Sequence, residues 1–261
     1  MIEWIALLGT GAAAGLLAGL LGIGGGLVIV PALTVLLVAR GLPIDTAVPT
    51  AVATALGSML LTSASSAMAH ARGGRMDWSA ALRLGPALAV GGLFGGWIAP
   101  VLGGTVLARV FGALAAAIGL RMLFALRPER AERRPEPRAW WAAGPLIGAL
   151  SALIGIGGGS FNVPYLVRNG YTTIRAVAVA AACGWPIALA GVAGFALRGL
   201  EPGTVPGLYG HLYLPGMVLV GVTGLSTAPL GARLAERLGS ERLGRVFGAL
   251  LLVVALRMAL Q

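Results

Sequence analysis

The feature that most constrains this chain is the length of its charge-free runs. Residues 4–39, 46–71, 84–108, 139–167, 176–197 and 202–232 contain no Asp, Glu, Lys or Arg. About 20 such residues in helical form span the hydrocarbon core of a bilayer. Two further apolar segments, roughly 106–126 and 242–260, carry an arginine near each end. Charged residues make up 11% of the chain, against about 25% in soluble domains. The expected fold is therefore an all-α polytopic membrane protein with about eight apolar segments.

The net charge of +10 does not indicate a nucleic-acid partner. All 19 basic residues are arginine, and most lie in short loops between apolar segments, which is how membrane topology is written. The lone Cys183 excludes an intramolecular disulfide. The opening "MIEWIALLGTGAAAGLLAGL" has no basic stretch ahead of its apolar run and reads as part of the mature fold.

The chain contains two copies of one unit. "GIGGG" occurs at 22–26 and 155–159, each followed by a proline, Pro31 and Pro164. "RVFGAL" occurs at 109–114 and 245–250, and "TAVPTAVAT" (46–54) loosely matches "RAVAVAAAC" (175–183). The expected organisation is a first transmembrane repeat over 1–126, a cytoplasmic Arg/Pro-rich linker over 127–141 and a second repeat over 142–261. Trp140 and Trp141 stand where an aromatic belt would sit.

Arginine bias swaps between equivalent loops. Arg72 and Arg75 mark the loop at 71–77, whose counterpart near 199–212 holds Glu201; the uncharged loop at 100–108 corresponds to an arginine-rich one at 233–245. That swap predicts inverted repeats, which need an odd number of crossings each. The glycine motif can supply the parity. Residues 4–39 would make a helix of about 54 Å, against a core of about 30 Å. A broken or re-entrant pair of half-helices meeting at Gly22–Gly26 fits that length better than two complete spans, giving three spans plus one such element per half.

Glycine in a helix interior costs about 0.5–1 kcal/mol against alanine, so four in five positions need a reason. Close packing explains "GAAAGLLAG" (11–19) and "GGLFGG" (91–96), where small residues let helices approach. It explains the clustered motif less well. A dinucleotide loop fails on context, because no strand precedes the motif and the second copy lacks a following acid. An unwound turn restarts a helix whose first N–H groups have no intrahelical partner, and such ends suit an anion.

The candidate substrate-binding residues are Gly24, Gly25 and Gly26 in the first turn and Gly157, Gly158 and Gly159 in the second. Ser160 and Asn162 add polar side chains where the first copy has Leu27 and Ile29. Thr50, Thr54 and Cys183 follow on the next helices; hydroxyls bonded back to their own helix compete with a pore-lining role for the threonines. Pro49 and Pro186 mark expected kinks. None of the nine acids lies mid-span, which argues against a proton relay through a buried carboxylate. His70 and His211 fall near predicted helix ends and make a poor metal site. No residue set suggests catalysis, a metal or a cofactor.

"GLLGIGGGLVIVPAL" (19–33) and "ALIGIGGGSFNVPYL" (152–166), with "AVPTAVAT" after the first, resemble the TauE/SafE family of sulfite-exporter-like membrane proteins over almost the whole chain. The resemblance implies transport of a small sulfur-containing anion, such as sulfite, thiosulfate or an organosulfonate, across a bacterial inner membrane. "CGWP" (183–186) departs from "TALG" (54–57), so symmetry alone does not assign the site. The expected function is a secondary transporter, alternating access around a midplane site formed by the two glycine breaks. The alternatives are a passive anion channel or a non-transporting accessory subunit of sulfur metabolism. Expected partners are the anion, the bilayer and a second copy in a homodimer.

Overall fold

A computed structural model describes residues 2–21, 25–124, 137–237 and 240–259. Ten α-helices occur among them: α1 Ile2–Leu21, α2 Gly26–Ala39, α3 Ile44–Arg72, α4 Trp78–Ile98, α5 Gly104–Leu123, α6 Pro137–Leu153, α7 Gly159–Arg168, α8 Thr173–Ala196, α9 Leu214–Arg237 and α10 Ser240–Ala259. A short 3-10 turn, Ala99–Leu102, extends α4, and a small antiparallel ribbon, Leu208–Tyr209 with Leu212–Tyr213, precedes α9. Six helices, α1, α3, α4 with its extension, α5, α8 and α9, are long and apolar enough to cross a membrane. The chain is a polytopic all-α membrane protein. Gly22, Ile23, Gly24 and the linker positions 125–136 lie outside the described residues.

The chain turns back on itself between α1 and α2 and again between α6 and α7. Glu3, at the start of α1, forms an ion pair with Arg40, the residue just after α2. The two helices are therefore antiparallel, about 30 Å and 21 Å long. The second pair does the same: Trp140 near the start of α6 packs in one cluster with Leu166, Val167 and Tyr171 at the end of α7. Both short arms stop on the same device. The N–H of Gly41 bonds Val38 O and that of Leu42 bonds Leu37 O, while Gly170 and Tyr171 repeat this on Val167 and Leu166. Gly41 and Gly170, at φ +87° and +88°, supply the left-handed residue this helix stop requires. At 10 residues against 14, α7 is about one turn shorter than α2.

The remaining helices run between two ends, marked by Glu3 and by Arg72. At the Glu3 end Asp45 accepts from the N–H of Thr105 (3.3 Å) and Arg198 donates to Trp97 O (2.9 Å). At the Arg72 end Asp77 caps α4 by accepting from Ala80 N (3.1 Å), and Tyr171 donates to its other oxygen (3.5 Å). So α3 leaves the Glu3 end, α4 returns and α5 leaves again; α8, α9 and α10 trace the opposite sense.

The long arm of each hairpin packs on the other half of the chain. A Cβ on Gly11 would overlap Thr223, and one on Gly15 would overlap Gly224 and Thr227, so α1 lies tight on α9. Likewise Gly91 and Gly95 of α4 meet Pro145 and Ala149 of α6, while Gly92 and Gly96 meet Ile187 and Gly191 of α8. The two glycine-rich stretches read as packing faces are packing faces. Two expectations change. Pro137–Trp141, counted with the linker, is the first turn of α6. Trp140 is buried in the cluster under α4 and α7 rather than in a lipid-facing belt, because the α6–α7 hairpin folds over it; Trp141 is exposed.

Candidate functional site

The two glycine turns meet at the centre of the molecule. A Cβ on Gly26 would overlap the carbonyl oxygen of Gly155, so the two backbones are in direct contact. Gly155, at φ +66°, in turn lies against Val30 of α2 and Val52 of α3. Both short helices start from a left-handed glycine, Gly25 at φ +70° and Gly158 at φ +73°. The Gly25 carbonyl accepts from Val28 and Ile29, and the Gly158 carbonyl from Phe161 and Asn162. This leaves the amides of Gly26 and Leu27, and of Gly159 and Ser160, without an intrahelical acceptor. Two positive helix ends thus start from the joined turns.

Buried polar side chains without partners lie on the helices that meet at the turns. Asn162 is fully buried, and neither its Oδ1 nor its Nδ2 has a hydrogen-bond partner. Its Nδ2 would be 2.7 Å from a Cβ on Gly158, which places the amide beside the turn. Ser160 Oγ and Thr50 Oγ1 are also buried and unpartnered. Each such group costs about 1–3 kcal/mol when nothing binds it. Gly157 closes the set: a Cβ on Gly184 would sit 3.2 Å from Gly157 O and 2.5 Å from Ser63 Oγ.

The sequence candidates therefore divide. Gly25, Gly26, Gly157, Gly158, Gly159, Ser160 and Asn162 belong to the joined turns, and Thr50 is on the adjacent helix. Gly24 lies outside the described residues. Thr54 is occupied, its Oγ1 accepting from Tyr213 N at 3.0 Å. Cys183 is buried among Leu84, Leu166, Val179 and Ile187, an apolar setting. Ser63 and Gly184 escaped the sequence reading. Ser63 is one of a run of hydroxyls at four-residue steps and their neighbours on α3, which was the available signal. Among the described residues no group of three or more His, Cys, Asp or Glu could hold a metal ion.

Tyr213 ties several elements together. Its backbone reaches Thr54, its hydroxyl accepts from Arg40 (2.7 Å) and donates to Glu3 (3.1 Å), and Arg40 lies 5.2 Å over its ring. The first hairpin's open end is thus latched to the start of α9. His211, two residues earlier, packs edge-on against Phe195, and burial holds its pKa below the usual 6.5. An imidazole kept neutral in the fold is protonated more readily when unfolded, so the stability it contributes is full above pH 6.5 and falls as the pH drops through its lowered value. Detergent-solubilised native protein should lose more melting temperature between pH 7.5 and 5.5 than His211→Phe; equal losses would place the acid sensitivity elsewhere.

Comparison with known proteins bears on this site. The family model described as "Sulfite exporter TauE/SafE" matches residues 7–258. A "Probable membrane transporter protein" of Haemophilus influenzae is 32% identical over 253 residues, covering 96% of both chains. A probable membrane transporter protein of Methanocaldococcus jannaschii is 27% identical over 94% of this chain and 91% of its own. A third, from Xylella fastidiosa, is 28% identical over 97% of this chain and 93% of its own. No solved structure matches.

Proposed function

Because the chain belongs to the sulfite exporter TauE/SafE family of membrane transporters, we propose that it carries a small sulfur-containing anion, bound between the two joined glycine turns. The observation that carries this reading is Asn162: a fully buried amide with both ends unpartnered, beside the N-terminus of α7. Free amide N–H groups and the Asn162 Nδ2 would donate to the anion oxygens, as would the hydroxyls of Ser160 and Thr50. None of the nine acids lies mid-span to oppose the charge. Sulfite, thiosulfate and organosulfonates all present oxygens that accept from this donor set.

The site is shut on both sides, since Gly25, Gly26 and residues 154–159 are buried. That favours an occluded stage of alternating access over a standing channel. The opposite senses of α3–α5 and α8–α10, with the paired hairpins, support two inverted repeats that rock around this centre. Orientation follows from arginine. By chain position Arg40, Arg109, Arg198 and Arg257 belong to the Glu3 end, and the rest of the 19 belong to the Arg72 end or the linker. The Arg72 end would then face the cytoplasm of a bacterial inner membrane.

Purified protein should melt at a higher temperature with millimolar sulfite, thiosulfate or taurine than with chloride. The gain follows RT ln(1 + [L]/Kd), about 1.4 kcal/mol at ten times Kd. If none of the sulfur anions raises the melting temperature above the chloride control, the substrate class is wrong.

A further inference from the structure

We infer that the route between the central site and the Arg72 end runs along one face of α3, past Ser63 and Ser66 to His70; this rests on the transport reading above. The direction of that face is fixed by two contacts. A Cβ on Gly191 would lie 2.8 Å from Leu56 Cδ1, and one on Gly184 would lie 2.5 Å from Ser63 Oγ. Both pairs step seven residues, forward on α3 and backward on α8, so the helices run antiparallel with this seam between them. Ser66 and His70, three and seven residues beyond Ser63, continue the same seam towards the Arg72 end.

The upper end of the seam is at the site, because Gly184 lies against Gly157 O as well as Ser63. Ser66 and His70 are buried at 1% and 3% exposure. The usual explanation for a hydroxyl in a membrane helix is a bond to its own backbone. That holds for Ser58, which donates to Ala55 O at 2.8 Å, and for Thr62 with Met59 O. It does not hold for Ser66, whose Oγ is buried with no partner. Ser66 and Asn162 are thus two unsatisfied polar groups, one on the seam and one at its origin. The seam ends beside Arg72 and Arg75, and positive charge at a mouth draws anions. When α3 and α8 part along this seam, the face becomes wet and the Ser66 hydroxyl serves as a relay for the leaving anion.

Cysteine accessibility tests the route in the full-length protein, with native protein and its buried Cys183 setting the background. Ser66→Cys and His70→Cys should be modified by a charged, membrane-impermeant methanethiosulfonate supplied at the Arg72 end. They should react at least tenfold more slowly from the other side. Ser58→Cys, on the face against Gly221 of α9, should stay at background from both. Ser66→Leu should reduce flux more than tenfold yet keep the ligand-induced thermal shift. If Ser66→Cys is inert from both sides in a transporting protein, or if Ser66→Leu transports normally, the route is overturned. A lost thermal shift in Asn162→Leu with an inert Ser66→Cys keeps the site and removes the route. A Ser66→Cys that reacts as expected, alongside an Asn162→Leu that binds normally, keeps the route and removes the site.

Discussion

Gly26→Ala is expected to give no folded, transporting protein, while Gly9→Ala behaves as native. The contrast comes from what a methyl group meets. At Gly9 there is nothing within 4 Å. At Gly26 the new Cβ would fall on the Gly155 carbonyl oxygen, and the next atoms are Gly155 C and Ile156 Cα. All of these are backbone, so no rotamer change relieves the overlap; the two hairpins must separate. Overpacking a core costs about 1–3 kcal/mol where side chains can yield, and here they cannot, so more than about 3 kcal/mol is expected. Separation of the hairpins also dismantles the joined turns. Monodispersity on size exclusion and a melting curve read the first effect, and flux into proteoliposomes the second. A stable, transporting Gly26→Ala would mean that the turns do not touch.

Asn162→Leu should show the opposite pairing: stability kept or raised, transport lost by more than tenfold. Leucine keeps the branching of asparagine at Cγ and sets two methyl groups where the amide oxygen and nitrogen stand. It also removes an amide whose two ends are buried without partners, a penalty of about 1–3 kcal/mol. If Asn162→Leu melts earlier and transports normally, the amide is structural. The matching change in the first half is uninformative, because that copy has Ile29 at the corresponding place.

The glycine motif was legible in the sequence because its physics is local. A run of four glycines in five positions can neither hold a helix nor fill a packing stripe. Two copies followed by proline therefore announce two turns, and Gly25 and Gly158 adopt the left-handed conformation that only glycine takes without strain. The packing faces at Gly11, Gly15 and Gly91–Gly96 were legible for the same reason, since small residues at helical spacing make a flat surface whatever lies opposite. Trp140 misled because two adjacent tryptophans after a charged linker fit a membrane interface by composition. Its burial depends on α7 folding back over α6, which no window around residue 140 contains. Tyr213 and Ser63 were missed for a related reason. A tyrosine in a polar loop and a serine in an apolar helix are ordinary until the element opposite is known.

Membrane residence and the twice-occurring glycine break were thus readable along the chain. These follow from charge-free length, from periodicity and from the backbone freedom of single residues. The packing of each long arm on the opposite half, which brings the turns together at Gly26 and Gly155 and leaves Asn162 buried beside them without a partner, emerges in three dimensions. The reason is that a helix surface records how closely a neighbour can come but not which neighbour. In lipid, where every helix is apolar, that choice rests on complementary backbone contacts made far apart along the chain.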